Sequence, residues 1–437
     1  YHDVYQMEMH HDKRRLEYRY DGQWVPLEER VWKGKVKIGF LTIGVRRKFY
    51  RSVHGPVVRN KSGYYALRLP GLMRIGAAEQ WYHMNKATNL NEFKQALDLQ
   101  QHISLSITYA DKAGNIYYLD NGLYPYRDPN FNWEYLLPGD TSAVVWAPQF
   151  RPLDSLLFVQ NPASGYVYHM NGSGFYSTDS ADQRSPDEFP PSFGYLSIKT
   201  ARHYRFEALM VQYDTLSYAD FKTIKYDTHL QFPLRTRTIE NWNKMRTLSP
   251  EKYPHLADII QVFETWDGSG AIDNRQAAIF ALSSQHVLDQ MQKDGTWDRN
   301  GSQPVRYYVA ALAYAKKYLL HHFGRLDIEL GELQKHVRGD KVYPVGGLME
   351  SIAALYTVPW KKGMRQSNLG DSYILFATYA SAGVERIETV HCYGASNRPE
   401  SPHFNDQVEL YVHQKTKPMT LDKATILRQA KKVYHPE

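Results

Sequence analysis

Hydrophobic and polar residues alternate along the first 70 residues, and this period of two predicts a meander of antiparallel strands. LEYRY and QWVPL flank Asp21-Gly22, a pair that favours a tight hairpin turn. Further strands are predicted in VKIGFLTIG, FYRSVHGPVV and GYYALRL, and a second hairpin in ISLSITYAD and IYYLDNG around a KAGN turn. The front of the chain is therefore predicted to be mostly β-structure.

Apolar residues three to four positions apart predict helices in the middle of the chain. One helical stretch covers residues 77–101 and is interrupted near Asn89, which is a plausible cap for its second half. Helical patterns dominate residues 195–322, and the last of them is closed by Gly324. Strands return in DSYILFATYA and VERIETVHCYG, and Thr420 is the predicted cap of a final helix, TLDKATILRQAKKVY. Antiparallel strands and helices in this order predict an α+β protein.

The stretch NPASGYVYHMNGSGFYSTD raises a question about function. The apolar run LLFVQ (156–160) is a predicted strand, Asn161-Pro162 a turn, and GYVYHM a second strand that ends at Asn171. Asn171 is followed by Gly-Ser-Gly at residues 172–174, and Gly172 and Gly174 would let the backbone bend away and leave the Asn171 amide unobstructed. Two interpretations stay open, because Asn-Gly is a common turn pair and an Asn side-chain N–H can also donate to a developing negative charge.

Composition and charge narrow the class of protein only slightly. The 437 residues are 43% hydrophobic and 23% charged, as in ordinary globular proteins. The net charge of +7 is a small excess, and the basic clusters HHDKRR (10–15) and VRRKFYR (45–51) are interpreted as solvated sheet faces. Neither lies in a recognisable nucleic-acid module, so no nucleic-acid partner is expected. No apolar run reaches about 18 residues, so no membrane span is expected.

Familiar catalytic motifs are missing from the sequence. There is no G-x-S-x-G elbow, no phosphate-binding P-loop and no H-E-x-x-H helix. The single cysteine, Cys392, excludes an internal disulfide and a multi-cysteine zinc site. Loop carboxylates could hold calcium, which prefers oxygen ligands, although they do not match the twelve-residue calcium loop. These carboxylates are Asp179, Asp182, Asp187 and Glu188.

Eleven segments spread along the chain form a recognisable set. The segments are DVYQMEM, YRYDGQWVPL, SVHGPVV, YYALRL, ITYADKAGNIYYLDNGLYP, LLPGD, VQNPASGYVYHMN, TARHYRFEAL, LGDSYILFATY, YGASNRPESPHFNDQVELY and LDKATILRQAKKVYHPE. In order and at similar spacing, they resemble the penicillin acylase family of N-terminal-nucleophile hydrolases, especially its acyl-homoserine-lactone acylase and penicillin acylase members. They cover nearly the whole chain, and it is the set rather than any one segment that is specific.

The resemblance implies a four-layer αββα sandwich of two antiparallel sheets. In its terms, residues 1–240 would be part of the hydrolase core, residues 241–365 a mostly helical region, and residues 366–437 strands returning to the core with a last helix. Family members are precursors that cut themselves and expose a serine at the new amino terminus of the large subunit. That serine attacks a linear amide, with its own α-amine as base and no required cofactor. A heterodimer with a small α subunit, exported to the periplasm or beyond, is the corresponding expectation.

The resemblance also implies roles for particular residues. Asn171 matches the asparagine whose side-chain amide forms part of the family's oxyanion hole. Arg202 matches best the arginine beside that site, and Arg205, one helical neighbour away, is the alternative. Asp3 and Asp182 are the candidates for a calcium site, since some relatives bind calcium near this region.

The catalytic serine should lie on a segment upstream of Tyr1, because tyrosine cannot perform the amino-terminal chemistry. This chain alone is therefore not expected to be active. The missing segment could be a separate chain, could lie outside this sequence, or could be lost. Acyl-homoserine lactones, penicillin-type amides and lipopeptides stay open as substrates. A non-catalytic family member that binds an acylated ligand or partner is the alternative.

Overall fold

The chain folds into two compact units. The computed structural model describes residues 2–12, 15–235, 242–296, 303–380 and 383–434. The first unit comprises Tyr1–His169 and Ser173–Ser197, and the second comprises Met170–Gly172 and Ile198–Glu437. The three functional ranges expected from the sequence stay a prediction.

The first unit is mostly antiparallel β-structure with two helices. Its strands are β1 Asp3–Met7, β2 Met9–Asp12, β3 Arg15–Tyr20, β4 Gln23–Pro26, β5 Glu28–Ile38, β6 Leu41–Ser52, β7 Gly55–Asn60, β8 Gly63–Arg68, β9 Ser104–Ala110, β10 Ile116–Gly122, β11 Leu137–Pro138 and β12 Phe158–Gln160. Its helices are α1 Ala77–Lys86 and α2 Leu90–Leu97. The strands form sheets of order β11-β1-β8-β7-β6-β5, β12-β10-β9 and β2-β3-β4. Among the described strands of this unit, only the pairing of β1 with β11 is parallel.

The hairpin predicted at Asp21-Gly22 is confirmed, with φ of 48° and 81° at its two turn residues. The single strand predicted over VKIGFLTIG is wrong, because a turn at Gly39-Phe40 divides it between β5 and β6. A two-residue turn places its flanking residues opposite each other, so Ile38 and Leu41 share a face although three positions separate them. The predicted strand FYRSVHGPVV is likewise divided, by the turn at Val53-His54 between β6 and β7.

A buried ion pair ties β1 to the later loops of this unit. Asp3 accepts a hydrogen bond from Arg127 Nη2 at 2.8 Å and another from Trp146 Nε1 at 2.7 Å. Arg127 also donates to the backbone carbonyl of Phe193 at 3.0 Å. Both charged side chains are at most 3% exposed. Removing one partner would therefore leave the other charge buried without compensation.

Asp3→Ala is expected to lower the free energy of unfolding by about 3–5 kcal/mol, since Arg127 then stays buried and unpaired. The comparison is Glu29→Ala, which removes the exposed Lys48–Glu29 pair and should cost less than about 1 kcal/mol. Urea unfolding of both variants measures the difference. Equal small losses would show that the Asp3 pair does not stabilise the fold.

The second unit holds most of the helices and two further sheets. Its helices are α3 Ala201–Met210, α4 Tyr218–Lys225, α5 Asn243–Arg246, α6 Ala257–Glu264, α7 Ala277–Asp294, α8 Val305–Phe323, α9 Leu330–Leu333, α10 Val408–Val412 and α11 Lys423–Gln429. Its strands are β13 Gln334–Arg338, β14 Lys341–Pro344, β15 Leu355–Pro359, β16 Arg365–Gly370, β17 Tyr373–Ala380, β18 Gly383–His391 and β19 Lys417–Pro418. They form sheets of order β14-β13-β16-β15 and β17-β18-β19.

An aromatic stack organises the helical core of this unit. Trp266 lies 5.5 Å from Phe263 and 4.8 Å from Phe280, measured between stacked rings, and each of the three side chains is about 1% exposed.

The predicted end of α8 is confirmed, because Gly324 has φ of 74° and closes the helix in the left-handed conformation. Among the described helices, none is both long and apolar enough to cross a membrane.

The cap predicted for the last helix is wrong by two residues. Asp422, rather than Thr420, accepts the hydrogen bond from the Thr425 backbone N–H, at 2.7 Å. Thr420 instead accepts from the Asp422 N–H at 3.1 Å. Asp and Thr are both good caps, so a TLD sequence leaves the choice to the local backbone.

Candidate active site

The second strand predicted before Asn171 is wrong. The strand over LLFVQ is confirmed for its last three residues as β12, but residues 166–170 belong to no strand. Positive φ values of 48° at Asn161 and 76° at Gly165 turn the chain away after β12. Tyr168 donates its backbone N–H to Ser177 at 2.8 Å, a bond inside this loop rather than part of a sheet ladder. The alternating Tyr166 and Tyr168 of GYVYHM therefore belong to a loop and not to a strand.

Asn171 takes the left-handed backbone conformation, with φ of 56°. Among non-glycine residues, asparagine tolerates this conformation best, which explains its presence in a turn. Its side chain is exposed. The sequence predicted that the glycines after Asn171 bend the backbone, whereas Asn171 itself has the left-handed φ angle.

Close packing fixes the chain on both sides of Asn171. A Cβ atom on Gly172 would come within 2.3 Å of His203 Cε1 and 2.8 Å of the Ile198 carbonyl oxygen. Thr200 Oγ1 donates to the Met170 carbonyl at 3.0 Å. Residues 170–172 are thus held against the first turn of α3 and the residues before it. Glycine is required at position 172 because His203 approaches it so closely, and not because the backbone must bend there, as the sequence predicted.

The start of α3 is itself fixed by a histidine. The Thr200 backbone N–H donates to His203 Nδ1 at 3.2 Å, and Thr200 Oγ1 lies 2.9 Å from the same nitrogen. His203 is fully buried. A nitrogen that accepts from a backbone N–H carries no proton, so the neutral ring holds its proton on Nε2. The histidine supports the turn that positions Asn171.

The two candidate arginines on α3 have different surroundings. Arg205 forms a two-point ion pair with Asp227, at 2.9 Å from Nε and 2.6 Å from Nη2. Arg202 is half-buried, and its Nε makes no hydrogen bond within the described part of the chain. Arg205 is therefore committed to a structural pair. Arg202 is then the arginine with donor capacity in the first turn of α3, the turn against which residues 170–172 (the Asn171 loop) lie.

Glu350 shares the environment of Arg202, and nothing in the sequence argument had selected it. Burial raises the pKa of its carboxyl to about 7, while the charge of Arg202 and a hydrogen bond from the Ala201 backbone N–H act in the opposite direction. Burial is also the main cause of the raised pKa of Tyr356, with Glu350 adding to it and Arg202 opposing it. The only sequence signal was one acidic residue inside the apolar run GLMESIAAL.

The two residues predicted to bind calcium, Asp3 and Asp182, each have other partners. The Asp3 carboxylate is bonded to Arg127, whose charge disfavours a cation beside it. Asp182 accepts the Ser164 backbone N–H at 2.7 Å. Within the described residues, no three His, Cys, Asp or Glu side chains are grouped as metal ligands. Calcium binding stays a prediction of the sequence.

The fold is the one found in penicillin acylases, the N-terminal-nucleophile hydrolase fold. A solved structure of a thermostable penicillin G acylase from Alcaligenes faecalis superposes on this chain with a TM-score of 0.62. The match covers 100% of this chain and 86% of that structure at 17% sequence identity. The α+β class predicted from the order of strands and helices, and the N-terminal-nucleophile hydrolase fold predicted from the resemblance, are both confirmed.

The chain belongs to the penicillin amidase family, whose model matches residues 1–428. An acyl-homoserine lactone acylase PvdQ from Pseudomonas fluorescens is 23% identical over 442 residues, covering 90% of this chain and 55% of that protein. Penicillin G acylase from Escherichia coli is 30% identical over 161 residues, covering 36% of this chain and 18% of that protein. The chain therefore spans about half the length, or less, of these curated relatives.

Proposed function

We propose that this chain carries the oxyanion side of an acylase that hydrolyses a linear amide. The serine nucleophile would be the amino-terminal residue of a segment outside this chain. The observation that carries the proposal is the Asn171 loop, in which an exposed amide is held by packing on both sides at the start of α3. Membership of the penicillin amidase family supports the same role.

The chemistry requires little from this chain beyond positioned donors. An α-amine titrates at about 7.7–8.0, so it can accept the serine hydroxyl proton near neutral pH. Attack on the amide carbonyl places a negative charge on its oxygen, and the Asn171 N–H would donate to that oxygen. Arg202, next to the loop, would stabilise the same charge. Collapse of the intermediate expels the amine and leaves an acyl-enzyme, which water then hydrolyses.

The substrate is proposed as an amide that joins an acyl chain to an amine-bearing head group. The names of the relatives support two such classes, acyl-homoserine lactones and penicillin G. A lipopeptide fits the same chemistry. Self-cleavage of a precursor, pairing with a small subunit and location in the periplasm or outside the cell belong to this proposal.

The proposal is tested by measuring the intact mass and the N-terminal sequence of every chain that co-purifies with this chain. The expected result is a polypeptide of several tens of residues or more that begins with Ser, Thr or Cys. A stable, folded and complete preparation without such a terminus would overturn the enzyme and favour the non-catalytic binding protein.

The stability of the second unit is expected to depend on pH because of Glu350. Its folded pKa of about 7 lies above the ordinary value of 4.5, so the folded chain retains a proton that the unfolded chain releases. The unfolding free energy should fall by up to about 3 kcal/mol as the pH rises from 4.5 to 7, and then level off. Glu350→Gln should remove this dependence.

Urea unfolding at pH 5 and pH 8 measures the effect, with Glu264→Gln as the control. Glu264 is an exposed carboxyl at the end of α6 and should leave the pH dependence as in the wild type. An unchanged pH dependence in Glu350→Gln would show that Glu350 ionises normally.

A further inference from the structure

The β5–β6 ribbon, residues 28–51, extends beyond the sheet that carries it. β5 and β6 pair along their whole length from Glu28↔Arg51 to Ile38↔Leu41. β7 pairs with β6 only at residues 50–52. Nearly every side chain of the ribbon is exposed or half-exposed. Two strands without a covering layer are marginally stable on their own, so the ribbon is suited to contact something outside this chain.

The tip of the ribbon is apolar and open to solvent. Phe40 is 92% exposed, Ile38 61% and Leu41 55%. The cross-strand pairs Ile38↔Leu41 and Val36↔Ile43 put these four side chains on one face. A contiguous exposed apolar group of this kind is typical of an interaction site.

The opposite face and the flanks of the ribbon are strongly basic. Residues 28–51 contain eight Lys and Arg residues and two Glu residues, so the net charge of the ribbon is 8 − 2 = +6. The whole chain carries +7, which leaves +1 for everything else. The two acidic residues lie at the base, where Glu28 pairs with Arg30 and Glu29 with Lys48. The cations nearest the tip are Lys33, Lys35, Lys37, Arg46 and Arg47.

We propose that the ribbon docks this protein on an anionic lipid surface. The apolar tip would lie among the acyl chains just below the headgroups, and the lysines would lie at the headgroups. Strand geometry places Lys37, Lys35 and Lys33 roughly 3, 10 and 17 Å behind Ile38. The headgroup layer is about 5–8 Å thick, so Lys37 and Lys35 reach phosphate depth when the tip is inserted. Basic residues near an anionic membrane each strengthen binding, and the apolar tip adds to them.

The apolar tip favours a lipid surface over a purely polyanionic partner. A nucleic acid or acidic polysaccharide would attract the lysines but would provide no apolar phase for Phe40, Ile38 and Leu41. The inference does not depend on the proposed acylase activity, because it rests on the ribbon alone.

Vesicle sedimentation of the complete protein, with all its co-purifying chains, tests the proposal. Binding is expected to vesicles that contain about one third phosphatidylglycerol and not to pure phosphatidylcholine, and it should weaken with salt. The triple change Lys33→Gln, Lys35→Gln, Lys37→Gln should weaken binding roughly 100-fold. Phe40→Ser should weaken it roughly tenfold or more.

Two matched controls keep the test specific. Lys415→Gln, Lys417→Gln, Lys423→Gln makes the same charge change at exposed lysines outside the ribbon. Ile75→Ser removes another apolar side chain that is 95% exposed. Both should bind vesicles as the wild type does.

Three results would overturn the proposal. The first is no binding to anionic vesicles, and the second is equal weakening by ribbon and control variants. The third is a ribbon protected from amide exchange in the complete protein without lipid, with the Phe40→Ser variant losing a co-purifying chain. That last result would assign the apolar tip to a protein partner instead.

Discussion

Asn171→Gly is expected to slow amide hydrolysis by the proposed acylase, assembled with its other chains, by roughly 10²–10³ in kcat, with little change in KM. An oxyanion donor acts on charge that develops in the transition state, so its loss affects the rate more than substrate binding. Glycine is the informative replacement because Asn171 has φ of 56°. Alanine would remove the same amide but would add the cost of a left-handed backbone. With glycine, a rate loss reports the missing N–H.

Gln414→Gly is the matched control for this change. Gln414 also carries an amide side chain, is exposed, and has φ of 55° in the second unit. Its replacement should leave kcat unchanged, and both variants should unfold at similar urea concentrations. If Asn171→Gly retained kcat while remaining folded, Asn171 would be a turn residue and the oxyanion donor would have to lie elsewhere.

Local chemistry made several elements of the fold predictable. Asp21-Gly22 specifies its own turn, and Gly324 ends α8 because few other residues take the left-handed conformation there. The turn at Gly39-Phe40 was missed because Phe40 is apolar and joins the apolar residues on both sides into one run, although Ile38 and Leu41 break the alternation of a single strand. The sheet formed by β13–β16 was not predicted, since its pairings join segments whose separate patterns are short and only partly apolar.

Some residues of the candidate site could be predicted from the sequence around them, and others depend on contacts with distant parts of the chain. Asn171 and Arg202 could be selected because the segments around them resemble a known family. Glu350 could not, since its raised pKa depends on burial beside α3, about 150 residues earlier in the chain. The need for glycine at position 172 likewise comes from the approach of His203, which no local pattern encodes.

Arg202→Met and Arg205→Met are expected to have opposite consequences. Arg202→Met should lower kcat/KM roughly 10- to 100-fold, because a hydrogen bond to a charged group contributes about 1.5–3 kcal/mol. Stability should change less than in Arg205→Met, since Arg202 acts on Glu350 through its charge rather than through a two-point ion pair. Arg205→Met should lower the unfolding free energy by roughly 2–3 kcal/mol, because it leaves Asp227 without its two-point partner. Its kcat/KM should stay within about twofold of the wild type.

Steady-state kinetics and urea unfolding of the same two preparations decide between the arginines. The pair is its own control, because both variants remove one positive charge from the same helix and differ only in which contacts are lost. A rate loss confined to Arg205→Met would transfer the catalytic role to Arg205 and make its pair with Asp227 part of the active site. Equal rate losses would instead show that α3 as a whole, rather than Arg202, positions the Asn171 loop.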